Sequence, residues 1–143
     1  MRDPNNPLKR RAAALGLVMK DHELIPSTRR AHAAAQWAGS QGKLPELHDE
    51  ILRHYWTLGE DIGQWPALRS AAVDVGLDPD ALQQAVESGR YQRDVERDLE
   101  EAQALGIHAV PTYVLGERHG IEGAQDAEVF RQLLRQLGAA PKS

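Results

Sequence analysis

The sequence predicts a mostly helical chain that closes with a short β-hairpin and one further helix. Three observations predict it. Apolar residues recur at steps of three and four through most of residues 8–102, the period of a helix with one buried face. Proline stands near the start and glycine just past the end of successive segments, the asymmetry that marks helix boundaries. After Gly106 the pattern changes to the β-prone run Thr112-Tyr113-Val114-Leu115, headed by Pro111, a position where a strand tolerates proline.

A first helix is predicted from Asn6-Pro7 to Gly16, with Leu8, Ala12 and Leu15 on one face. Leu17 to Pro26 reads as an irregular connector. The second helix opens at Ser27 or Thr28 and closes at Gly42; its Ala31, Ala34, Ala35 and Ala38 form a face that lets a neighbour approach closely. Pro45 starts the third, in which Leu47, Ile51, Tyr55 and Leu58 share a stripe that Gly59 stops. Beyond the loop 60–64, a fourth carries Leu68, Ala71, Ala72 and Val75 before Gly76.

The fifth helix has the clearest start. Asp78 can cap it, Pro79 suits the first turn, and Leu77 can staple onto Leu82. A sixth, about 90–105, aligns Tyr91, Val95, Leu99 and Ala102. Residues 116–120 form a turn, Ile121 lies in a return strand, and Asp126 caps a last helix with Val129, Phe130, Leu133, Leu134 and Leu137 facing inward. A lone two-stranded hairpin is marginal in water and leaves its edges unpaired. The sheet is therefore expected to be incomplete.

At 143 residues the chain suits one compact domain. Its 17 basic and 21 acidic residues, a formal charge of -4, argue against a nucleic-acid partner, which calls for a basic excess. Lys9-Arg10-Arg11 and Arg29-Arg30 read as solvated faces. No apolar run is long enough to span a bilayer, and the N-terminus lacks the apolar core of a signal peptide. A membrane partner is not expected.

There is no cysteine. Disulfides, thiolate metal sites and a thiol nucleophile are thereby excluded within these residues, and a cytoplasmic location is expected. His48 and His54 flank Asp49 and Glu50, but a spacing of six does not put two imidazoles on one helical face. No metal and no cofactor are expected. His22, His108 and His119 read as surface or loop residues, and Trp37, Trp56 and Trp65 as packing anchors.

The stretch Gly106-Ile107-His108-Ala109-Val110-Pro111-Thr112-Tyr113-Val114-Leu115, followed by Gly123-Ala124-Gln125 and a Phe/Leu helix, resembles the end of a DsbA-family protein, in particular the FrnE-like branch. Thr28-Arg29-Arg30-Ala31-His32 resembles that branch's Asn-Thr-x-x-Ala-His helix start, with Ser27 where asparagine is usual. Gly59-Glu60-Asp61-Ile62 and Gly76-Leu77-Asp78 resemble its later loops.

The resemblance implies an incomplete DsbA-like thioredoxin fold. Residues 7–105 would be a helical insertion domain, and 106–140 the closing hairpin and helix. The family's opening β-α-β unit, with its Cys-x-x-Cys at a helix N-terminus, would precede residue 1. The resemblance also implies a cis-proline loop at Val110, Pro111 and Thr112, a relic of a substrate-binding site; the alternative is an ordinary trans proline at a strand start. Thr28 and His32 would line the same site, or His32 merely caps or packs.

Thiol–disulfide exchange needs a thiolate, and none is present. A related branch, the kappa-class glutathione transferases and hydroxychromene-carboxylate isomerases, can use serine, but that serine also belongs to the opening unit. The expected function is that of a truncated or degenerate family member, inactive alone. The alternative is a binding or assembly module that dimerises, or pairs with another protein, through its sheet edge. An enzyme built on Thr28, His32 and Pro111 would lack a nucleophile–base–orienter set.

Overall fold

The computed structural model describes residues 6–23, 25–115 and 119–139. Its helices are α1 (Pro7–Ala14), α2 (Arg29–Ser40), α3 (Leu44–Arg53), α4 (Trp65–Asp74), α5 (Pro79–Glu87), α6 (Arg90–Ala104) and α7 (Ala127–Gln136). A π-helical turn, His54–Leu58, prolongs α3, and the strands are β1 (Thr112–Leu115) and β2 (His119–Glu122). Among the described residues this is the mostly helical order that the sequence predicts. Residues 116–118 of the expected turn, and Leu24 of the connector, lie outside the described residues. The chain divides into two compact units, Met1–Asp98 and Leu99–Ser143.

The first unit is organised around α2. Ala31, Ala33, Ala34 and Ala38 are all buried, and side chains that end at a methyl let neighbouring axes come close. Both α3 and α5 pack on this helix, and α4 packs on those two in turn. Trp37, Leu47, Leu68, Leu82 and Val86 fill the space between them. Ala35, expected on the buried face, is only partly covered, whereas Ala33 is fully covered. A helix gripped from two sides needs a broader face than one stripe, and that shifts the boundary.

Local chemistry sets the joints. The Asp78 carboxylate accepts from the amides of Asp80 at 2.8 Å and Ala81 at 3.3 Å, which caps α5 as the sequence predicts. Arg69 of α4 reaches the same helix start, donating to the Pro79 carbonyl at 3.2 Å and to Gln83 Oε1 at 3.0 Å, and pairing with Asp80 at 2.6 Å. At Gly63 any Cβ would lie 2.9 Å from the Ser27 carbonyl oxygen. Only glycine allows that approach, and the Gly63 carbonyl takes a 2.9 Å bond from Arg30. Arg30 also lies over the Trp65 ring, 5.0 Å from its centre. It is exposed, as the sequence predicts, and is also a structural tie.

The third helix departs from the continuous stripe expected up to Gly59. Its hydrogen bonding widens from α to π at His54. The connector completes the change: the Lys20 amide donates to the Trp56 carbonyl at 2.7 Å, and Lys20 Nζ to the Leu58 carbonyl at 2.9 Å. Carbonyls that a helix end would leave unpaired are satisfied from outside. His22 of the connector stacks on Tyr55 at 3.8 Å with the rings nearly parallel. It packs against an aromatic ring, a contact that its lack of any partner pattern in the sequence did not foretell.

In the second unit β1 and β2 pair antiparallel, with Tyr113 opposite Ile121 and Thr112 opposite Glu122. Tyr113 meets Phe130 of α7 edge to face at 4.8 Å, a favourable aromatic geometry. Ile121 is buried. The inward apolar face predicted for α7 is only partly realised, since Val129, Leu134 and Leu137 remain exposed. Two strands cannot cover the whole stripe of a ten-residue helix. The stripe of α6 fades similarly: Tyr91 and Val95 pack on the first unit's core, while Leu99 is exposed.

Ala34→Leu is expected to destabilise the fold by about 1–3 kcal/mol, read as a lower urea midpoint. Ala13→Leu, on the exposed side of α1, should stay within about 0.5 kcal/mol; equal effects would contradict the close-packed α2. A second expectation concerns acid. Glu46, at the start of α3, has its carboxyl held below the ordinary range, first by backbone hydrogen bonding and then by Lys43. A lowered carboxyl stabilises the fold above its ordinary range, and the effect fades as pH falls through the lowered value. Glu46→Gln should therefore sit below wild type at neutral pH, with the gap closing between about pH 5 and pH 3 in urea titrations.

Candidate functional site

The loop before β1 holds the residues singled out for substrate contact. The Val110–Pro111 peptide bond is cis. The Val110 side chain is 91% exposed, and among the described residues no backbone hydrogen bond involves its amide or carbonyl. The neighbouring groups are engaged. The Pro111 carbonyl accepts from the Gly123 amide at 2.7 Å, and the Thr112 hydroxyl donates to the Ala109 carbonyl at 2.7 Å. Fixed neighbours thus present one residue whose backbone polar groups are open to an extended peptide, which recognises main chain by the same bonds as a strand.

Thr28 and His32 belong to the first unit. Thr28 is the N-cap residue of α2, but its side chain makes no capping bond. Its carbonyl accepts from the His32 amide at 3.0 Å, and both side chains are exposed. A cleft of about 480 Å³ opens at the same helix start, lined by Ile25, Arg29, Arg30 and Asp61 among others, and by neither Thr28 nor His32. Exposure leaves both free to meet a ligand, and their packing gives neither a core role.

A second cluster escaped the sequence reading. His54 is 1% exposed, the one buried polar residue among those described. Its Nδ1 lies 2.7 Å from Glu60 Oε2, and its Nε2 3.2 Å from Asp74 Oδ2 and 3.6 Å from Glu50 Oε1. Arg53 joins the group, pairing with Glu50 and, at 3.0 Å, with Asp74. Hydrogen bonding from His54 chiefly holds the Asp74 carboxyl below its ordinary range, and bonding to Glu50 chiefly raises the Arg53 guanidinium. His48 is not among the partners of His54. The local signal was Glu50 and His54, one helical turn apart; Asp74, on another helix, left none.

The description "DSBA-like thioredoxin domain" belongs to a family model that matches residues 5–135. YwbO of Bacillus subtilis strain 168, an uncharacterized protein, is 31% identical over 111 residues, 76% of this chain and 54% of its own length. The crystal structure of the probable DsbA oxidoreductase SCO1869 from Streptomyces coelicolor superposes with a TM-score of 0.83 at 31% identity, over 95% of this chain and 60% of that one. A putative protein disulfide isomerase from Nitrosomonas europaea shares the fold at 18% identity, with a TM-score of 0.69 over 95% of this chain and 76% of its own. The chain thus spans little more than half the length of the first two.

Removing the buried imidazole should be costly. His54→Ala deletes two charge-assisted bonds and leaves a cavity, for an expected loss of about 3 kcal/mol in urea unfolding. His48→Ala, at an exposed site, should change stability by less than about 0.5 kcal/mol. Indifference to the first substitution would show that the cluster contributes nothing to folding.

Proposed function

Because the chain belongs to the DSBA-like thioredoxin domain family, we propose that these residues, FrnE-like in their motifs, bind extended polypeptide and by themselves exchange no disulfides. The observation that carries the reading is the combination of zero cysteines with an exposed Val110 whose backbone is unengaged among the described residues. Exchange proceeds by attack of a thiolate on a disulfide sulfur, and no side chain here can supply the attacking atom. What the Val110-Pro111-Thr112 loop can supply is main-chain pairing.

A second reading concerns assembly. Both outer edges of the two-stranded sheet lack a strand partner among the described residues, and Val114 is 54% exposed. Edge strands of this kind pair readily with a second chain, and a two-fold dimer is the simplest closed arrangement. Among the described residues no helix is long and apolar enough to cross a membrane. A cytoplasmic setting, where thiols stay reduced and cysteine has no structural use, accords with the composition.

Two experiments test these readings. In an insulin reduction assay with dithiothreitol the chain should add nothing to the uncatalysed rate; acceleration would refute the non-catalytic assignment. Light scattering after gel filtration should give a dimer that Val114→Lys converts to a monomer. A wild-type monomer at micromolar concentration would remove the assembly reading and leave the first intact. The DNA upstream of codon 1 offers a further check, since an in-frame Cys-x-x-Cys segment there would point to a longer, catalytically complete protein.

A further inference from the structure

The His54 cluster has a polarity that its own atoms do not resolve. Glu60, behind the ring, is a carboxylate acceptor 2.7 Å from Nδ1, so Nδ1 carries the proton. Nε2 either holds a second ring proton, donated to Asp74, or gives that proton up and offers a lone pair. The side-chain oxygens facing it, Asp74 Oδ2 at 3.2 Å and Glu50 Oε1 at 3.6 Å, belong to carboxylates and are acceptors as well. A buried nitrogen and two anionic oxygens therefore converge on a point where a cation belongs.

We propose that Glu50, His54 and Asp74 bind one divalent transition-metal ion of the zinc class. The three ligand atoms lie within 4.8 Å of one another. An ion about 2.1 Å from each of two tetrahedral ligands holds them about 3.4 Å apart, and the distances from Nε2 to the two oxygens bracket that value. Imidazole with carboxylates suits a borderline ion such as Zn²⁺. Glu60 completes the pattern, since a ligating histidine usually donates its other N–H to a carboxylate that fixes the ring. Asp74 is half-exposed, which leaves a path for the ion and room for water on it.

Arg53 is the built-in competitor. Its guanidinium pairs with the same two carboxylates, Glu50 and Asp74, from a side chain that is 44% exposed. It can withdraw into solvent when a divalent ion arrives. The bound ion would tie the end of α3 to the end of α4, a structural clamp and not a catalytic centre. Electrostatics then assign opposite signs to neighbouring substitutions: removing a ligand weakens binding, while removing Arg53 strengthens it.

Titration calorimetry of the EDTA-treated full chain with ZnCl₂ at neutral pH tests the proposal, with thermal unfolding in parallel. Wild type should bind one equivalent and unfold at a higher temperature with zinc. Asp74→Asn and Glu50→Gln should each weaken binding by about tenfold or more, and Arg53→Gln should tighten it several-fold. His54→Gln should abolish it; if that variant does not fold, Asp74→Asn, altered at a half-exposed residue, decides instead. No saturable binding up to about millimolar zinc, binding indifferent to Asp74→Asn, or a weaker Arg53→Gln would each overturn the proposal. So would ¹⁵N spectra in which His54 keeps protons on both nitrogens at saturating zinc.

Discussion

The arrangement of the first unit depends on how closely α3 and α5 can approach α2. Four buried alanines hold that spacing, with Trp37 the one large side chain buried from α2. Other features inherit the spacing. With α3 held there, α4 packs behind it, and the last residue of α4, Asp74, comes within 3.2 Å of His54. A wider α2 would move α3 outward, and the histidine would lose either its burial or its partner. The polar cluster is therefore a product of the apolar core.

Where a feature depends on a few adjacent residues, it was legible in the sequence. Asp78 followed by Pro79 announced a capped helix, and the amides of Asp80 and Ala81 do bond to it. The change of period after Gly106 announced the hairpin, whose register sets Tyr113 opposite Ile121. Features that depend on distant residues were not legible. The π turn at His54–Leu58 is bound to Lys20, more than thirty positions upstream. Periodicity could mark the apolar stripe of α7 but not how much of it finds cover, because that depends on the number of strands available.

The candidate sites divide in the same way. Pro111 and its neighbours could be recognised because a short contiguous motif carries the family likeness. His54 could not, since its partners stand at Glu50, Glu60 and Asp74 and only the first is a helical neighbour. The two sites also differ in kind. Around Pro111 the chain offers open backbone, which suits a partner that brings its own hydrogen bonds. Around His54 it offers converging side-chain ligands on paired helices, a geometry that side chains alone create.

The bonds from Lys20 to the Trp56 and Leu58 carbonyls, with the Thr57 hydroxyl donating to the Val18 carbonyl at 3.2 Å, bear on how the first unit opens. Among its described residues the connector has no regular structure, and segments of that kind usually open independently of their surroundings. Here it supplies the hydrogen bonds that close the end of the helix carrying His54. Peeling it away would leave those carbonyls to water and release the turn that carries His54. Connector and core thus form one cooperative unit, and the least regular stretch of the first unit shares the stability of its most regular part.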